Sequence, residues 1–109
     1  MNGVTEKHLR DSLFHDYDVK PVIEKFEFTA GTYKRGQLLE KHTDGKLQAC
    51  SVADKLFAIC TDDVVIDSNV TSATAYMTGC FNKNAIIDEN SLELKALQDA
   101  GRKYQIYFR

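Results

Sequence analysis

The sequence predicts a mainly β protein of the α+β type. It should have a small β-barrel-like or clip-like body, one C-terminal helix and a flexible N-terminal arm. Three observations carry this. Short runs rich in β-branched and aromatic residues recur from Val22 to the end of the chain. Asp44-Gly45 is a tight-turn signal between two such runs. Only one segment, near the C-terminus, is dense in Leu, Ala, Glu and Lys.

The elements follow in order. Residues 1–20, MNGVTEKHLRDSLFHDYDVK, are mostly polar, and Leu9 and Leu13 are spaced to share a helical face with Thr5 as N-cap. Pro21 ends this stretch, because it stops a helix and extends the residue before it. VIEKFEF alternates in part, as a half-buried strand does. TAGTYKRG is a turn or short loop, and QLLEKH and KLQAC flank Thr43-Asp44-Gly45-Lys46 as a hairpin. LFAIC is an unbroken apolar run that suits a buried strand. Val64-Val65-Ile66 sits among loop residues, and ATAYMTGCFNKNAII reads as one longer strand interrupted by Gly79. Asn90 is placed to cap a helix over SLELKALQDA, with Glu93 completing a capping box. Gly101 falls where a glycine stop belongs. KYQIYFR sets Tyr104, Ile106 and Phe108 on one face of a closing strand.

Composition narrows the function. The 109 residues suit one domain, and 43% apolar with 28% charged is ordinary globular usage. A net charge of −2 argues against nucleic acid as a partner. No apolar run approaches the ~20 residues of a membrane span, so no membrane is expected as a partner. Glu6, Lys7, Arg10 and Asp11 interrupt any signal-peptide core, so a reducing cytoplasm is expected. Cys50, Cys60 and Cys80 lack paired short spacings, which argues against a disulfide framework or a zinc knuckle, and Cys60 and Cys80 read as small buried hydrophobes. Asn69-Val70-Thr71 reads as a turn.

Catalytic signals are sparse. His8 and His15 lie in the arm and His42 ends a strand, so no metal site is expected. Asp62-Asp63 and Asp88-Glu89 read as solvated loop acids. Ser51, Ser68, Ser72 and Ser91 lack a nucleophile elbow, and the scattered glycines form no phosphate-binding loop. Tyr33 beside Lys34 and Arg35 is a weak base-stacking cluster. The residues point to a binding or structural module without cofactors, not to an enzyme.

The order of these segments resembles the lambda-type bacteriophage head decoration proteins. GTYKRGQLL resembles that family's Gly-Thr-x-x-Arg-Gly-x-x-Leu turn and strand. Residues Leu56–Val64 resemble its buried strand and acidic turn, and TGCFNKNAI its Gly-centred strand. The Leu-Lys-Ala-Leu helix with Ile-Tyr-Phe is similar to its C-terminal end. The resemblance spans roughly residues 22–109. Two departures stand out: Phe57-Ala58-Ile59 where members often carry Gly before Ile-Leu, and a charged arm where theirs are often rich in Gly, Thr and Pro.

The resemblance implies a homotrimer on the exterior of an expanded phage capsid, bound to the major capsid protein. It would stabilise the shell against packaged DNA, after assembly in the host cytoplasm. It also implies an N-terminal arm that orders on the capsid. Residues 1–20 are then the capsid-binding arm, with Val4, Leu9, Leu13, Phe14 and Tyr17 as its anchors, and 21–109 the trimer-forming body. A second expectation is a small β-barrel binding a ligand or polysaccharide through Tyr33, Tyr76, Tyr104 and Tyr107. A third is an enzyme using His42 with Asp44 or Asp63.

Overall fold

Asp44-Gly45 does form a hairpin. In the computed structural model, which describes residues 12–109, Gly45 has φ of 90° and open space around its Cα. That conformation favours glycine. The flanking strands β4 (Leu38–Lys41) and β5 (Leu47–Ala49) pair antiparallel. Asp44 Oδ1 accepts the Lys46 amide at 2.9 Å, which fixes the turn.

Eight further strands precede, follow or flank this hairpin. They are β1 (Phe14–Asp16), β2 (Ile23–Glu27), β3 (Gly31–Tyr33), β6 (Leu56–Cys60), β7 (Val64–Ile66), β8 (Ser72–Tyr76), β9 (Gly79–Phe81) and β10 (Ile106–Phe108). Among the described residues one α-helix, α1 (Leu94–Gly101), precedes β10. The protein is therefore mainly β with a C-terminal helix. A five-stranded antiparallel sheet runs β2-β8-β6-β4-β5. A second sheet runs β1-β9-β10, with β10 parallel to β9, and β3 pairs with β7. Phe28 bridges to Leu47 and so ties the outer strands of the large sheet together at one end. The described strands form no closed barrel.

Strands β4 and β6 of the large sheet are buried on both faces, which explains their unbroken apolar runs. Leu38, Ile59 and Tyr76 face one core with Leu13, Leu56, Phe81, Leu97, Ile106 and Phe108. Leu39, Ala58, Cys60 and Ala75 face the other with Phe28, Tyr33, Leu47 and Ile66. Leu56 and Ile59 are three apart yet share a face, because the β4–β6 register shifts between Leu39 and Glu40. A bulge of this kind turns one extra residue out of the alternation.

TAGTYKRG, expected as a turn or short loop, contains β3, which pairs with β7, and four further local expectations differ from the structure. The ATAYMTGCFNKNAII segment is two strands in different sheets, with Gly79 (φ 147°) opening the second. A Cβ there would stand 3.1 Å from the Phe81 ring and 3.2 Å from that of Phe14. Asn90 does not cap the helix: α1 begins after Glu93 with no side-chain cap, and Asn90 Nδ2 donates to the Cys50 carbonyl instead. Gly101 is helical (φ −66°), and the left-handed stop falls on Gln105. Tyr104 lies in a 3-10 turn, outside β10.

The last difference concerns the arm. Its expected boundary was Pro21, but β1 already belongs to the body. Phe14 pairs with Phe81 and Asp16 with Cys80. Leu13 is only 2% exposed, its carbonyl accepts the Asn82 amide at 2.7 Å, and its Cδ1 lies against Gly36.

Candidate functional site

The end of the molecule where the N-terminal segment joins the body is built from aromatics. Phe14 stacks on Phe81 (centroids 5.0 Å apart) and meets Tyr76 edge-on, also at 5.0 Å. Tyr17 stacks on the outer side of Phe14 at 5.2 Å and is 53% exposed. Tyr76 pairs in register with Ile23, so β2 begins beside this stack. Thr78 closes the corner: its hydroxyl donates to the Lys20 carbonyl and accepts the Val22 amide at 3.1 Å. Val22 and Ile23 are exposed here together with Tyr17.

Charges frame the same end. Arg109 Nη1 lies 3.6 Å from Asp16 and 4.0 Å from Asp18. The Asp18 amide, the Cys80 thiol and the nearby cations together hold the Asp16 carboxyl below its ordinary range. Burial, followed by this carboxylate, pushes the Cys80 thiol up.

The expected anchors therefore divide. Leu13 and Phe14 are packed into the body, Tyr17 stays on the surface, and Val4 and Leu9 lie outside the described residues. The sequence reading missed Val22 and Ile23 as surface residues. Alternation in VIEKFEF marked a half-buried strand, whereas β2 exposes four of its five residues. The signal available was charge: Glu24, Lys25 and Glu27 are three of those five.

The other expected sites fall apart spatially. Tyr33 is buried, with its hydroxyl donating to the Thr29 carbonyl at 2.9 Å. Tyr76 is buried and accepts a hydrogen bond from Arg35 at 2.8 Å. Tyr104 meets Phe57 edge-on, and Tyr107 lies under Arg109. Tyr33 and Tyr107 border different depressions, of about 380 and 230 Å³. The four rings do not make one binding surface.

His42 lies 3.2 Å from Asp44 within the hairpin, while Asp63 accepts the Arg35 amide at 2.9 Å. Asp88 accepts the amides of Asn90 and Leu92, and Glu89 accepts the Gln37 side chain at 2.9 Å. These loop acids thus organise backbone and neighbouring side chains. All three cysteines are buried and free. Burial, with the Glu40 charge nearby, pushes the Cys50 thiol up to about 11, and burial raises Cys60 as well. Thiols held protonated are poor nucleophiles. Among the described residues, no group of three or more His, Cys, Asp or Glu is placed to hold a metal ion. No helix among them is long and apolar enough to cross a membrane.

The chain matches no protein-family model and no curated protein.

Proposed function

We propose that the protein is a phage head decoration protein that acts by binding. It sits as a homotrimer on the exterior of the expanded capsid, bound to the major capsid protein, and stabilises the shell against packaged DNA. The observation that carries this reading is the exposed group of Tyr17, Val22 and Ile23 where the N-terminal segment meets the body. Eleven residues precede Ser12, with Val4 and Leu9 among them. The chain enters the body directly after that segment, through Leu13 and Phe14, which are packed in the core. The segment order that resembles the decoration family supports the same reading.

The energetics suit a clamp. Ordering an extended segment costs about 1–2 kcal/mol per residue in backbone entropy, which apolar anchors must offset. Three such segments on one trimer add effective concentration, which raises overall binding by roughly 10²–10⁴-fold over a single contact. Residues 1–20 carry three basic and four acidic side chains, so salt weakens binding only modestly.

The test is co-sedimentation with expanded heads and with unexpanded proheads of the cognate phage. The full chain should pellet with expanded heads in multiples of three per site. A chain lacking residues 1–11 should keep its fold and lose most of this binding. Pelleting with neither head form would overturn the proposal.

A further inference from the structure

One edge of the large sheet is open beside this exposed group. β2 is an outer strand, and among the described residues its far side is open over residues 23 to 25; beyond them the Phe28–Leu47 bridge, with the Thr29 amide donating to the Leu47 carbonyl, covers it. The ladder to β8 fixes which backbone groups face outward. Met77 donates to the Val22 carbonyl and Phe28 donates to the Thr71 carbonyl. With Ile23 opposite Tyr76 and Glu27 opposite Ser72, the even-numbered residues 22 to 28 carry the bonds to β8. The amides and carbonyls of Ile23, Lys25 and Glu27 therefore point away from β8, and those of Ile23 and Lys25 lie clear of the Leu47 bridge.

Their side chains share one face, which reads apolar, basic, acidic, and all three are exposed. The opposite face carries Glu24 and the half-buried Phe26, which meets Phe57 edge-on at 5.7 Å.

We infer that the open edge of β2 is a second docking site, which takes an extended segment of the shell protein as an added strand. This rests on the decoration reading and extends it from the N-terminal segment to the body. Two observations select that occupant. The N-terminal segment joins the body through β1, whose Phe14 touches the same Tyr76 that pairs with Ile23, so whatever the segment binds is brought to this edge. The charge pattern then sets the register. An incoming strand fits with an apolar residue opposite Ile23 and an acid opposite Lys25. The same charges oppose open-ended pairing of identical edges, since two copies meeting at Lys25 would place like charges opposite each other.

The experiment uses the full chain carrying Lys25→Pro. The Lys25 amide points outward, so proline removes no bond to β8 but blocks strand addition. Lys25→Ala is the control for charge alone, and Ile23→Lys is the second variant if Lys25→Pro lowers thermal stability. With wild-type binding to expanded heads established, Lys25→Pro or Ile23→Lys should weaken it at least tenfold, and Lys25→Ala less. The Ile23 and Lys25 amides should exchange rapidly with solvent in the free protein.

Head binding unchanged in both folded variants overturns the inference and leaves the decoration reading standing. A wild-type oligomer that Lys25→Pro dissociates without loss of head binding assigns the edge to a second copy and overturns it too. Slow amide exchange in the free chain means the edge is already covered, with the same consequence. Failure of the wild-type chain to bind heads overturns the reading and the inference together.

Discussion

At the residue scale, Glu40 is the side chain whose role is most sharply defined. It is 3% exposed, and burial alone would raise its pKa. The Ser51 amide at 2.8 Å, the Gln48 amide group at 2.8 Å and the Ser51 hydroxyl at 3.0 Å oppose that, helped by the charge of Lys55. The balance holds the carboxyl below its ordinary 4.5. A depressed carboxylate stabilises the fold fully above its unfolded pKa, and that stabilisation is lost as pH falls through the folded value. Glu40→Gln leaves donors facing a partly donating group and should cost about 1–3 kcal/mol at pH 7. The gap between wild type and variant should shrink as pH drops below 4.5, measured by urea denaturation across pH. A constant gap at every pH would contradict this account. Nothing in the sequence showed that Glu40 is buried, because the groups that satisfy it, Gln48 and Ser51, reach it through the β4–β5 pairing. Gly101 was legible as a special residue but for the wrong reason. A Cβ there would collide with the Ile106 carbonyl, so close chain approach requires the glycine, not a left-handed stop.

At the element scale, the instructive case is β1. A polar stretch ending in proline reads as an arm because composition reports solubility, not pairing. The strand is three residues long and only Leu13 and Phe14 bind it to the core, which is too short a signal for alternation to reveal. The consequence is measurable by truncation. Removing residues 1–11 should leave the melting temperature within about 2 °C, because Leu13, Phe14 and the β1–β9 ladder remain. Removing residues 1–20 takes Leu13 and Phe14 out of the core. Deleting large apolar side chains there costs about 2–5 kcal/mol each. That chain should melt at least 10 °C lower, at about 4–8 °C per kcal/mol for a domain near this size. Equal melting of the two truncations would place β1 outside the folding unit. The hairpin, β6 and the C-terminal helix were legible because each carried its own local signal: Asp-Gly, an unbroken apolar run, and strong helix formers. The switch of sheet at Met77-Thr78 was not, since partner choice is set by tertiary packing.

At the scale of the whole molecule, the sheet order separates two ends that decoration would use differently. β2 and β5 lie on opposite sides of the five-stranded sheet, and they approach only where Phe28 bridges to Leu47. Ile23, Val22 and Tyr17 gather at the other end of β2, four strand residues away from Glu27. At roughly 3.3 Å per residue this displaces the exposed group from the Phe28 bridge by more than 10 Å. The Thr43–Lys46 turn lies just beyond Lys41 and Leu47, near the bridge and away from Tyr17. Nothing stands within 4 Å of a Cβ at Gly45, so the tip has space around it. Added loop length costs little, about 0.6 kcal/mol for each doubling. If the Tyr17–Ile23 end faces the shell, a short epitope inserted after Gly45 should leave head binding within about twofold, because a change of that size is only ~0.4 kcal/mol. The epitope should also be open to antibody on decorated heads. Co-sedimentation followed by antibody labelling reads both. A tagged chain that melts normally but no longer pellets would mean that the hairpin end meets the shell, and the roles of the two ends would be exchanged.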